Sequence, residues 1–103
     1  MAATDAVFGA LSDGTRRGLL AALGEHGPST ATQLAADLPV TRQAVSKHLG
    51  ALAAAGLVSS ERSGREVRYR LTPAPLSDAV IWMAGVGAQW DERLAALQRR
   101  LGP

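Results

Sequence analysis

Cysteine is absent from the chain, which excludes a disulfide framework and any thiolate-built metal site. Aromatic residues are scarce: Phe8, Tyr69, Trp82 and Trp90 are the whole supply, so an interior must be assembled from Leu, Val and Ala. In 103 residues that interior is small, and chains of this kind often complete their burial by self-association. No apolar run suits a bilayer, since the longest, Ala79 to Ala88, is about half of what a spanning helix needs. Met1-Ala2-Ala3-Thr4-Asp5 has neither a basic n-region nor a sustained apolar segment, so no secretory signal and a cytoplasmic location are expected. Catalytic groupings are missing too. Ser46 and His48 stand at i and i+2, which do not face each other on a helix, and no glycine-rich phosphate loop is present. His26 and His48 lack ligand spacing, so no metal, no cofactor and no enzymatic activity are expected.

Acidic residues are missing altogether between Asp37 and Glu61. The formal net charge is only +2, yet the segment from Arg42 to Arg70 holds six cationic side chains against Glu61 and Glu66. A basic segment in an otherwise slightly acidic chain is the footprint of a phosphate-binding face. Within it, Val45, Leu49 and Leu52 share one side of a helix by their i, i+4, i+7 spacing, while Gln43, Ser46, Lys47 and Gly50 share the other, with Arg42 at its shoulder. Solvated helix faces usually mix both signs of charge, and this one does not. Short donors and acceptors beside cations suit base-pair edges in the DNA major groove, where Gln pairs with adenine and Arg or Lys with guanine.

The neighbouring sequence supports such a helix. Asp5 to Leu11 suits a first helix; Ser12-Asp13-Gly14 breaks it, and Asp13 can cap a second over Thr15 to Leu23, stopped by Gly24. Thr30-Ala31-Thr32-Gln33 fits a capping box opening a third, which buries Leu34 and Leu38 and ends at Pro39. Thr41 then caps the polar-faced helix, about 41–55, and Gly56 closes it. Two helices joined by so tight a turn make a helix-turn-helix. From Leu57 the period becomes two, and Val58, Ser60, Val67, Tyr69 and Leu71 alternate across a hairpin, about 57–71. With Ser63-Gly64 as its turn, Glu61 would face Glu66, a repulsion for Arg62, Arg65 or Arg68 to offset. Arg62 and Arg65 at the tip would reach phosphates or an adjacent minor groove.

After Pro73 and Pro75 a last helix, about 73–101, repeats Leu76, Val80, Met83, Gly87, Trp90, Leu94, Leu97 and Leu101 at alternating spacings of four and three. A period of 3.5 marks a seam against another helix. The seam points to a second copy of the chain, the competing reading being a packing stripe within one chain.

Four segments together resemble the ArsR family of winged helix-turn-helix repressors over nearly the whole length. They are Leu11-Ser12-Asp13-Gly14-Thr15-Arg16-Arg17, Ala44-Val45-Ser46-Lys47-His48-Leu49, Ala55-Gly56-Leu57-Val58, and Gly64-Arg65-Glu66-Val67-Arg68-Tyr69-Arg70-Leu71. The resemblance implies a homodimer held by the first and last helices, so Val7, Phe8 and Leu11 join Val80, Met83, Gly87, Trp90, Leu94 and Leu97 in the expected interface. It also implies repression at a pseudo-palindromic operator, released in many members by a metal or other signal. Members usually carry Pro where Gly14 stands. Metal-sensing branches use Cys, or Asp and His pairs in the last helix; Asp78, Asp91 and Glu92 have no His beside them, and Trp82 with Trp90 is similar to a metal-independent branch. The expectation is one domain over 1–103, mainly α with a small β-hairpin, a winged helix-turn-helix with a long C-terminal dimerisation helix. Duplex DNA is the expected partner, met by Thr41, Arg42, Gln43, Ser46, Lys47, His48, Arg62 and Arg65, and a membrane is not. The alternative is a winged-helix interaction module that never touches DNA.

Overall fold

The computed structural model describes residues 2–102. In chain order it contains α1 (Ala2–Leu11), α2 (Gly14–His26), β1 (Ser29–Thr30), α3 (Ala31–Ala36), α4 (Arg42–Ala54), β2 (Val58–Ser63), β3 (Glu66–Leu71) and α5 (Ala74–Leu101). Local chemistry sets each boundary. The Asp13 carboxylate accepts from the N–H groups of Thr15 and Arg16 at 2.8 and 3.1 Å and starts α2. Thr30 and Gln33 form the reciprocal capping box of α3. Thr41 Oγ1 accepts from the N–H of Ala44 at 3.1 Å and starts α4. That helix ends on Gly56 at φ 77°, where the N–H of Gly56 reaches Ala53 O and that of Leu57 reaches Leu52 O. The pair of bonds is a Schellman motif, and its following residue, Leu57, is fully buried.

Three local expectations are corrected. Gly24 lies inside α2, and the stop is Gly27, whose φ of 78° no side chain adopts cheaply. Leu38 lies beyond the end of α3, in the turn to α4, though it still packs on the core. The hairpin turn is Gly64-Arg65, one residue later than Ser63-Gly64, with Ser63 opposite Glu66 and Glu61 opposite Arg68. Glycine takes the first turn position at φ 60°, as a type II′ turn requires, and the shift exchanges a like-charge pair for an opposite one. Two residues, Ser29 and Thr30, also add a third antiparallel strand, giving the order β1-β3-β2.

One core ties these elements together. Leu19 and Leu23 of α2, Val45, Leu49 and Leu52 of α4, and Leu57 are its largest buried side chains, joined by Val7 of α1 and Ala79 of α5. Val7, expected at a dimer interface, is 1% exposed and belongs to this core, because its side of α1 faces the body of the same chain. α5 meets the body only through its first third: Leu76 packs on the core, Ala79 is buried, and the Trp82 ring meets Phe8 edge to face at 5.7 Å. Beyond that the helix projects, so the molecule measures 67 × 26 × 20 Å.

Gly14 occupies the first position of α2, where an N–H has no helical partner, and Asp13 before it has φ −103° and ψ 129°, a conformation that tolerates a following proline. Gly14→Pro is therefore expected to raise stability by about 0.5–1 kcal/mol by restricting the unfolded chain. A urea midpoint that falls would show that α2 does not start as described.

Candidate nucleic-acid interface

Burial of Val45, Leu49 and Leu52, each 0% exposed, fixes which side of α4 turns outward. Arg42, Gln43, Ser46, Lys47 and Gly50 are all exposed on the opposite side. Thr41 is exposed at the same end, its oxygen committed to the cap and its hydroxyl hydrogen left to donate. Among the described residues no ion pair engages Arg42 or Lys47.

The sheet sorts its arginines by strand alternation. Glu66, Arg68 and Arg70 of β3 share a face with Ser59, Glu61 and Ser63 of β2. There Arg68 bonds Glu66 at 3.0 Å and Arg70 approaches Glu61 at 3.8 Å, so two of the four wing arginines are balanced by acids. Such exposed pairs add little stability. Their effect is to leave Arg62 and Arg65 as the unbalanced cations, both exposed near the tip, with Arg62 Nε donating to Gly64 O at 3.3 Å.

Between the wing, α3 and α4 runs a cleft of about 470 Å³ whose walls include Arg42, Ser46 and Arg65. Thr32, Gln33, Val67 and Tyr69 also line it, and no spacing in the sequence marks them as contact residues. Gln33 was legible only as a cap; with its Oε1 accepting from the Thr30 N–H, its amide hydrogens are the groups left to donate. The alternation of Val67 and Tyr69 was visible, but the cleft they face needed the fold.

His48 does not join the outward row. Its helical position lies on the flank toward α2, it is half-buried, and its Nδ1 accepts from Arg16 Nε at 3.2 Å. The remaining expected positions divide similarly. Val80, Met83, Trp90, Leu94 and Leu97 are 40–58% exposed along α5, and nothing stands within 4 Å of a Cβ built on Gly87. Phe8 and Leu11 are half-buried against their own chain.

The carboxyl of Asp13 is held below the usual carboxylate range, first by the backbone N–H of Arg16, then by that of Thr15 and by the nearby His48 and Arg16 side chains, against an opposing desolvation. A lowered value in the folded state means that its contribution is complete above the unfolded carboxylate range and is lost as pH falls through the folded value. Asp13→Ala is therefore expected to be less stable than the parent at neutral pH, with the gap narrowing below about pH 4. Asp13→Asn should keep the cap without the pH dependence. A gap of constant size in urea unfolding across that range would contradict this.

Comparison with known proteins follows the same lines. A family model described as a helix-turn-helix domain matches residues 11–61. The HTH-type transcriptional regulator Rv2034 of Mycobacterium tuberculosis is 45% identical over 73 residues, covering 71% of this chain and 67% of that protein. The transcriptional repressor SdpR of Bacillus subtilis is 36% identical over 77 residues, 75% of this chain and 84% of its own. Among solved structures, an ArsR-like transcriptional regulator from Rhodococcus sp. RHA1 superposes with a TM-score of 0.82 at 48% identity, covering 95% of this chain and 92% of that one. The homodimeric winged helix-turn-helix DNA-binding domain of Mb0332 from Mycobacterium bovis gives a TM-score of 0.65 at 28% identity, over 89% and 82% of the two chains.

Proposed function

The chain belongs to the ArsR family of winged helix-turn-helix transcriptional regulators, and we propose that it binds duplex DNA as a homodimer and represses transcription from a pseudo-palindromic operator. The observation that carries this reading is the acid-free, exposed row Arg42, Gln43, Ser46, Lys47 beside a wing whose only unbalanced cations, among the described residues, are Arg62 and Arg65. In this reading α4 enters the major groove, Gln43 and Ser46 meet base edges, and Arg42 and Lys47 meet bases or phosphates. Thr41 braces the start of that helix. Arg62 and Arg65 hold the backbone or the adjacent minor groove. A cytoplasmic location goes with this reading; separately, no described helix is long and apolar enough to cross a membrane.

The second copy of the chain is argued from α5. Among the described residues, nine of the ten exposed large apolar side chains lie on that helix, and an isolated soluble monomer rarely keeps so continuous an apolar stripe in water. The seam of Val80, Met83, Trp90, Leu94 and Leu97, with Gly87 allowing close approach, suits its own twin, flanked by Phe8 and Leu11. The resemblance to a homodimeric solved structure supports the same arrangement. Because the chain has no cysteine, a soft-metal thiolate sensor cannot be built on it, and we assign it to a metal-independent branch of the family.

Selection of bound duplexes from a random pool tests the function directly: a motif of two inverted half-sites about 10 bp apart is expected, and the absence of enrichment would reject DNA reading. Gln43→Ala should relax base preference at one position per half-site, whereas Arg65→Ala should weaken binding to every sequence and flatten the salt slope by about one. Equal losses on selected and random DNA would remove Gln43 from its role. Leu94→Glu buries a charge in the seam and is expected to give monomers by sedimentation, with operator affinity reduced at least about tenfold; a dimer that persists would place the interface elsewhere.

A further inference from the structure

Gln33 has more than its cap to offer. Its Oε1 accepts from the Thr30 N–H at 2.8 Å, completing the capping box of α3, so the amide nitrogen is the end of the side chain left over. A backbone N–H can meet only an acceptor, which fixes which end of the amide is which. Among the described residues neither hydrogen of that nitrogen has a partner. Gln33 is exposed, and it stands on the wall of the cleft that α3 shares with α4 and the wing.

The rest of that cleft is a collection of donors. Arg42 and Ser46 come to it from α4, Arg65 from the wing turn, and Tyr69, packed on the core, from β3. The single acid among its described lining residues, Glu66, is bound to Arg68 at 3.0 Å. A capping box accepts either Glu or Gln at the position of Gln33, and Glu would suit the positive end of a helix better. The cap alone therefore gives no reason for a neutral side chain. The cleft does, because a carboxylate at that place would repel an anion drawn in by Arg42 and Arg65.

With α4 in a major groove and the wing tip at the adjacent minor groove, the sugar-phosphate ridge between the two grooves passes between α4 and the wing, over this cleft. We propose that Gln33 is a DNA-contacting residue: its amide nitrogen donates to one backbone phosphate of that ridge while its carbonyl oxygen holds the cap of α3. This rests on reading α4 as the helix that enters the groove, and it adds α3 to the elements that meet the duplex. A neutral donor positions a phosphate without displacing a counterion. Its loss therefore weakens binding to every sequence with the salt slope unchanged, unlike the loss of Arg65.

Two variants of the full chain test it. Gln33→Glu separates the contact from the cap, because a carboxylate accepts from the Thr30 N–H as an amide oxygen does. Its urea midpoint should equal or exceed that of the parent, while its affinity for the selected operator and for a random duplex should fall together by at least roughly tenfold. Gln33→Ala, which adds no charge, should also bind both duplexes more weakly, with the salt slope of the parent. The phosphate itself is found by replacing each one of the operator in turn with an uncharged methylphosphonate. At one position per half-site the replacement should cost the parent roughly tenfold more than it costs either variant, the scale of one hydrogen bond to a charged group. Parent-like affinity in Gln33→Glu, or losses that run parallel in parent and variants at every phosphate, overturns the proposal and leaves Gln33 a cap only. Failure of the underlying reading looks different: the parent enriches and binds no duplex, and the phosphate contact falls with it.

Discussion

Everything on the functional face depends on the seating of one short helix. Val45, Leu49 and Leu52 are completely buried, and each such side chain contributes roughly 2 kcal/mol relative to exposure. The Thr41 cap adds only about 1 kcal/mol and the Schellman motif satisfies backbone groups without choosing a face. Burial therefore decides which side of α4 meets solvent, and capping decides where the helix begins and ends. Since the buried stripe is wholly aliphatic, the outward row can carry whatever chemistry the partner requires without disturbing the fold.

The wing shows a second sorting, by strand alternation rather than helical period. Placing Gly64 first in the turn puts Glu61 opposite Arg68, and the acids then balance Arg68 and Arg70 on one face. What remains unbalanced lies near the tip, beside the cleft shared with α3 and α4. A basic segment read along the sequence overstates the cationic surface; among the described residues, the cations of that segment without an acidic partner are Arg42, Lys47, Arg62 and Arg65. Concentrated charge of one sign next to uncharged donors is what separates a nucleic-acid face from a merely soluble one.

Much of this was legible because the signals are local. Asp13, Thr30, Thr41 and Gly56 act within four residues of themselves, and the buried stripe repeats within two turns, so spacing alone reveals them. Gly24 misled because a glycine inside a helix is tolerated, and only the φ of Gly27 identifies the true stop. The hairpin turn was off by one because glycine fits either turn position; the tie is broken by which charges face each other across the strands. β1 is two residues long, too short to show any period. Val7 was misassigned since an apolar residue on a short helix looks the same whether it faces its own core or a second chain. The cleft residues Val67 and Gln33, and the contact of Arg16 with His48, join segments far apart in sequence, which no periodicity encodes.

The scarcity of aromatic residues and the projection of α5 have one cause. A core built from Leu, Val and Ala in so short a chain closes over α1 to α4 and the sheet, and over only the first third of α5. The 28-residue helix is about 42 Å long, far more than the body can cover. A helix so placed draws its stability from whatever covers its apolar stripe, since intrinsic propensity alone is marginal in water. With a second copy as the cover, the element that completes burial is also the element that sets the distance between the two copies of α4. The order of the projecting part of α5 and the half-site spacing then rest on the same seam, so loosening it costs the protein its register on DNA while the core over α1 to α4 and the sheet stays closed.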